Sequence, residues 1–294
     1  MTQRSGATIA VLGGNGVYAR HLIPRLAARG FRVRALVRRP EAAGVARACG
    51  AEIHAADIFD GASLAAALAG CDVGVNLATS LPGPSGRGDW DANDRLRRDG
   101  TPIWVSACRS ARVPRILQQS IAMVNASGGD AWSDEDTVYA PGEDSLAARA
   151  IAAARAMEDA VSRSELDWLI LRGGLFYGPG TGFDDDWFAR ASAGKLRLPG
   201  DGEGFVSLLQ ITDMAEATVA ALERWPSRRA LIVADDRPAR WREIFSHVAS
   251  VCGAGEPKPG GLAGFPSFRV RNARAREALD WAPCYADYRS GLVR

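Results

Sequence analysis

Apolar positions in this chain fall into short runs separated by amphipathic stretches, the alternation that predicts a parallel sheet covered by helices. Ile9 to Leu12 is an apolar run that reads as a buried strand, and it breaks at glycines into a helical pattern from His21 to Ala28. Pro24 inside that pattern is expected to kink the helix or shorten its start. Further strands are expected at Phe31–Val37, Ala51–Ala56, Asp72–Leu77, Val113 onward to Ser120, Ile121 and Ala122, and Asp167–Leu171. Ser63–Ala69, a stretch from about Asp91 past Gly100 to Ala111, and Ser145–Ser162 read as helices. Leu81–Gly88 and Asn125–Pro141 are loops by composition.

The organisation changes from about residue 183. Trp187–Ala193 reads as helix, Phe205–Ile211 as strand, and Thr212 as the N-cap of a helix through Leu222. Ala230–Ala234 reads as strand, Trp241–Cys252 and Asn272–Leu279 as helices, and Gly255–Gly264 as a Pro/Gly loop. The pattern predicts an α/β doubly wound parallel sheet over 1–182 and a small α+β lobe over 183–294, interleaved with it. A cleft between the two is where a small-molecule substrate is expected.

The first strand, its glycines and the helix after them carry the clearest chemistry. Gly13 permits a tight turn, and Gly16 permits close approach to a pyrophosphate. The unpaired N–H groups of the following helix then face the phosphate charge. Gly13, Gly14, Asn15, Gly16, Val17 and Tyr18 are therefore candidate dinucleotide-binding residues, with Ala19 as a small substitute for a third glycine. The second strand ends in Arg38 and Arg39, where an acidic residue would take the adenosine 2′-hydroxyl and arginine suits a 2′-phosphate. That difference favours NADP over NAD. Asp57 and Ile58 end the third strand, where they border the adenine. Leu77, Ala78 and Thr79 follow the fourth strand, where small residues let ribose and phosphates pass.

Composition narrows the class. The 294 residues are 47% hydrophobic and 24% charged, with a net charge of +2. That charge is too small to argue for nucleic acid or a membrane surface. No apolar run reaches the roughly 18 residues of a membrane span, and the N-terminus has no signal-peptide pattern. Five scattered cysteines and three isolated histidines suggest neither a disulfide framework nor a metal site, and point to a reduced cytoplasm.

In their order and spacing, these motifs resemble the extended and atypical short-chain dehydrogenase/reductase superfamily, specifically NAD(P)-dependent epimerase/dehydratase-like proteins. LGGNGVYA resembles its TGxxGxxG turn, RGGLFYGPG its RPxxVYGPG, and NARAREALDWAP its closing NxRxxxxLGWxP. The stretch from Asn93 through Gly100 and Thr101 resembles the helix before its fifth strand. The resemblance carries Gly174 and Leu175 over as cofactor contacts and implies a homodimer through the long helices.

One departure stands out. Counted back from Glu158, the family's YxxxK pair falls on Ala150 and Ala154, and the helix holds neither tyrosine nor lysine. The tyrosine would handle the substrate proton, and the lysine would lower its pKa and hold the ribose. Ser120 matches the family's fifth-strand serine, a candidate for both catalysis and cofactor contact. Tyr139, in the loop with Asp134, Glu135 and Asp136, is the candidate replacement phenol, while the plainer reading makes that acidic run a solvated face. The resemblance thus implies an NAD(P)-dependent oxidoreductase or epimerase-like enzyme with unusual acid–base residues. A non-catalytic NAD(P)-binding regulator is the alternative.

Overall fold

A computed structural model of the chain describes residues 6–82, 88–142 and 145–293. The expectations for residues 1–5 and for the middle of the Leu81–Gly88 loop lie outside the described residues. The first half runs β1 (Thr8–Leu12), α1 (Val17–Ala28), β2 (Arg32–Val37), α2 (Gly44–Ala48), β3 (Glu52–Ala55), α3 (Gly61–Leu68) and β4 (Val73–Asn76). It continues through α4 (Trp90–Arg95), a π turn (Leu96–Gly100), α5 (Thr101–Ser110), β5 (Arg115–Ile121), α6 (Leu146–Ser162) and β6 (Asp167–Gly173). The second half holds β7 (Leu175–Tyr177), α7 (Phe183–Ser192), β8 (Arg197–Pro199), β9 (Phe205–Val206), β10 (Leu208–Gln210), α8 (Ile211–Arg224) and β11 (Arg229–Val233). Last come β12 (Ala239–Arg240), α9 (Trp241–Val251), β13 (Lys258–Gly261), α10 (Ala273–Leu279) and α11 (Tyr288–Gly291).

Seven strands form one parallel sheet in the order β11-β6-β5-β4-β1-β2-β3. This is the Rossmann-like α/β fold that the hydrophobic pattern predicts. Strand alternation explains the layers. Ile9 and Val11 face a core shared with α1 and α8, whereas Ala10 and Leu12 face the core shared with α3 and α5. A third core, built from Tyr177, Trp187, Trp241, Phe245 and Phe268, belongs to the later segments. The strand order reverses between β1 and β4, so the crevice for a ligand opens at their C-terminal ends.

Several local expectations need correction. Pro24 does not shorten the first helix, which starts four residues before the expected His21, at Val17. The carbonyl that loses its donor belongs to exposed Arg20, so water can take it. Thr212 is not the N-cap of α8: the helix begins at Ile211, and the Gln210 side chain accepts from the Thr212 N–H. The expected strand Phe205–Ile211 is broken into β9 and β10 at Ser207, whose hydroxyl donates to the Phe268 carbonyl and accepts from the Val270 N–H. Ala230–Ala234 does not join the lobe. As β11 it pairs with β6 at the sheet edge, because Leu231 and Val233 complete one core while Ile232 completes another.

The expected long helix after Asp91 contains the π turn. Pro102 lies at the start of α5 and has no N–H for the Arg98 carbonyl, so the α-helical bond cannot form there and the preceding turn widens.

Candidate active site

The glycine turn sits at the switch point of the sheet. Gly13 has φ +78°, and a Cβ there would lie 3.1 Å from the Ala78 backbone just after β4. A Cβ at Gly14 would lie 2.8 Å from the Ala35 Cβ on β2. The N–H groups of Gly13 and Gly14 both donate to the Leu36 carbonyl, at 3.1 and 3.2 Å. Helix α1 then begins at Val17 with no side-chain cap on its first turn. Its N–H groups are thus open to an anion at the positive end of the helix dipole. These residues fit a dinucleotide pyrophosphate.

The other candidates surround the same end of the sheet unevenly. The Tyr18 ring is buried against Phe176 and its hydroxyl bonds Thr218 on α8. Burial pushes that hydroxyl well above the usual phenol range, leaving the Tyr18 backbone N–H for a ligand. Arg38 and Arg39 stand exposed beyond β2 and enter no ion pair among the described residues. Asp57 folds back to accept from the Phe59 N–H at 2.9 Å, and Ile58 is buried where a Cβ on Gly100 would meet it. Leu77 is buried and Thr79 exposed, while the Ala78 N–H donates to Asn76 Oδ1 at 3.0 Å. Gly174 and Leu175 give their N–H groups to the carbonyls of Val233 and Ser207, both at 2.9 Å.

Ser120 is fully buried, and its Oγ donates to Glu158 Oε1 at 2.6 Å. Arg172 on β6 donates to the same carboxylate, its shortest contact being 2.6 Å, and to Asn125 Oδ1 at 3.0 Å. Asn125 Nδ2 in turn donates to the Glu135 and Thr137 carbonyls. The serine hydroxyl is therefore one end of a buried network joining β5, α6, β6 and the following loop.

Tyr139 is not part of this network: its ring packs with Val124 against Ile151 and Ala154. The acidic run before it is anchored at Glu135 and Asp136. Glu135 Oε1 accepts from the Ile232 N–H on the outer edge of β11 at 2.9 Å, and Asp136 pairs with Arg274. Burial raises the Glu135 carboxyl above its ordinary range. A recess of about 160 Å³ near this loop is lined by Trp132, Asp235, Asp236, Val270, Arg271 and Asn272.

Three groups escaped the sequence reading as site residues: Arg172, Asn125 and Arg97. Arg172 and Asn125 had no local signal, since their partners lie 14 and 10 or more residues away. Arg97 donates to the Ala150 carbonyl at 3.3 Å, the first of the two positions where the resemblance expected a catalytic side chain.

Residues 13–223 match the family described as NAD(P)H-binding, and the chain belongs to it. Among characterised proteins, the chain is 34% identical to the 3-diazoavenalumate denitrifying reductase of a Streptomyces species, over 97% of this chain and 99% of that one. It is 27% identical to the ceramide reductase of Caulobacter vibrioides, over 99% and 91% of the two chains. A dTDP-glucose 4,6-dehydratase from Bacillus anthracis, solved with NAD, superposes with a TM-score of 0.81 at 16% identity, over 98% of this chain and 94% of that one. The chain is an NAD(P)-dependent oxidoreductase or epimerase-like protein. No helix among the described residues is long and apolar enough to cross a membrane.

Proposed function

We propose that the chain is an NADP(H)-dependent reductase of a small organic substrate in which Tyr139 delivers the substrate proton. The packing of Tyr139 against Ile151 and Ala154 carries this reading, because it sets a phenol beside a helix that has none of its own. Arg155 holds the loop in place through the carbonyls of Val124, at 3.1 Å, and Tyr139. The reductase names of both relatives described above support the direction of the reaction.

When bound, NADP(H) supplies hydride. The start of α1 receives the pyrophosphate through the backbone N–H groups of Val17 and Tyr18, and the turn from Gly13 through Asn15 to Gly16 lets it come close. Arg38 and Arg39 take the 2′-phosphate, the basis for preferring NADP to NAD. Asp57 and Ile58 border the adenine, Leu77 to Thr79 border the ribose and phosphates, and Gly174 and Leu175 close the far side. Ser120 is a positioning residue that acts through Glu158. Substrate enters from the lobe side, over the loop that carries Tyr139.

The test follows NADPH consumption against a panel of aldehydes, ketones and diazo compounds. Tyr139→Phe is expected to lower kcat about 100-fold or more on a substrate that needs a proton, with NADPH affinity unchanged. Full turnover in that variant would remove Tyr139 from the mechanism. Tight NADPH binding with no turnover on any panel member would favour a cofactor-binding regulator instead.

A further inference from the structure

Strand β11 is the outer edge of the sheet, with β6 on one side only. An edge strand leaves a row of N–H and C=O groups without partners. Glu135 closes that edge at Ile232: its Oε1 accepts from the Ile232 N–H at 2.9 Å, and its side chain is only 5% exposed. The other oxygen, Oε2, is sealed from water without a hydrogen bond among the described residues, and Arg274 Nε lies 3.6 Å from it. The loop that leads to Tyr139 is thus fastened to the sheet through a buried carboxyl.

The other ties of this loop differ in kind. Ser133 donates its N–H to the Arg269 carbonyl and accepts from the Arg271 N–H, both at 2.9 Å. Asn125 Nδ2 donates to the carbonyls of Glu135, at 3.2 Å, and Thr137, at 2.7 Å. Arg155 donates to the Tyr139 carbonyl. Asp136 pairs with Arg274, but its side chain is 74% exposed, where water screens the pair. The start of the loop reaches the phenol itself, since a Cβ on Gly128 would stand 3.0 Å from Tyr139 Cε2. How the loop seats on β11 therefore bears on where the Tyr139 ring lies.

We propose that Glu135, by closing the edge of β11, is a positioning residue that seats Tyr139 for proton delivery. The role rests on Tyr139 being the proton donor. The seat is also sensitive to pH. Burial raises the Glu135 carboxyl, and Asp134 adds to the rise, while the Ile232 N–H, the N–H of Glu135 itself and Arg274 oppose it. Asp136, the remaining acid of the run, is taken up by Arg274. A neutral carboxyl still accepts from the Ile232 N–H through its carbonyl oxygen. An ionised one gains by leaving for water. The hold on the seated loop is therefore complete below the ordinary carboxylate range and fades as pH rises through the raised value.

Hydrogen exchange followed by mass spectrometry reads the seat without a substrate. Glu135→Ala should speed exchange across residues 130–139 and at Ile232 by about tenfold or more, and Glu135→Gln, which keeps the acceptor, should restore protection. NADPH oxidation with the panel carbonyl that the wild type turns over fastest reads the phenol. Glu135→Ala should lower kcat by about tenfold or more and leave KM for NADPH unchanged. In the wild type kcat should fall between about pH 5 and about pH 8, and Glu135→Gln should remove that fall while keeping turnover. A protected loop in Glu135→Ala, or one pH profile shared by the wild type and Glu135→Gln, overturns the proposal. If Glu135→Ala does not fold, the Glu135→Gln profile carries the test. Loss of loop protection in Glu135→Ala beside a fully active Tyr139→Phe overturns the Tyr139 reading and the positioning role with it, leaving Glu135 an anchor of the fold. No turnover by the wild type on any panel member does the same.

Discussion

Glu158→Ala removes the carboxylate that accepts from Ser120 Oγ at 2.6 Å and from Arg172, its closest contact also at 2.6 Å. Arg172 keeps its bond to Asn125 Oδ1 but loses its countercharge, with a side chain only 14% exposed. Removing one partner of a buried pair costs about 3–5 kcal/mol. The stranded Ser120 hydroxyl adds about 1 kcal/mol. Unfolding entropy of about 2.1 cal/mol/K per residue gives about 0.6 kcal/mol/K for 294 residues, so the melting temperature should fall by about 6–10 °C. Urea unfolding followed by circular dichroism measures the loss directly. Replacing both Glu158 and Arg172 by leucine should recover most of it, because no charge is left unpaired. A single variant costing under about 1 kcal/mol would show that the Glu158–Arg172 pair adds no more than an exposed one. A double variant no more stable than the single would show that the loss does not come from an unpaired charge.

Three further outcomes are expected. Arg38→Ala should weaken NADPH by about tenfold or more and leave NADH unchanged, as loss of a charge-assisted bond to a 2′-phosphate requires; equal loss for both would sink the assignment. Asp235 is buried near Asp236, Asp287 and Asp213, and burial holds its carboxyl well above the usual carboxylate range. Its contribution is complete below about pH 4 and fades as pH rises toward the folded-state value, so Asp235→Asn should raise the melting temperature at pH 8 and lose that advantage near pH 4. Gly13→Ala combines a left-handed φ with a contact on the Ala78 backbone, so calorimetry should show a stability loss of about 2 kcal/mol or more together with weakened dinucleotide binding.

The sheet was legible because its strands are buried on both faces, and Ile9–Leu12 or Leu169–Leu171 therefore read as unbroken apolar runs. The glycine turn was legible because its spacing reflects backbone conformation, and Gly13 has the positive φ that the motif implies. Long-range ties left no such trace. The acids from Asp134 to Asp136 read as a solvated run, yet Glu135 closes the edge of β11, 97 residues away in sequence. Arg97 lies among Arg95, Arg98 and Asp99, where a charged stretch looks like an exposed helix face. Its burial follows from the widened turn before Pro102 and from Ala150 on α6, whose carbonyl it meets. Thr212 was a chemically sound cap, but β10 ends at Gln210 and hands the capping role to that side chain.

On this reading the turn from Gly13 to Val17 and the start of α1 hold a dinucleotide for reduction. Titration of the wild-type chain with NADPH, followed by isothermal calorimetry with NADH as the comparison, tests that most directly. Saturable binding of one NADPH per chain is expected, at least about tenfold tighter than NADH. No saturable binding of either nucleotide would contradict it.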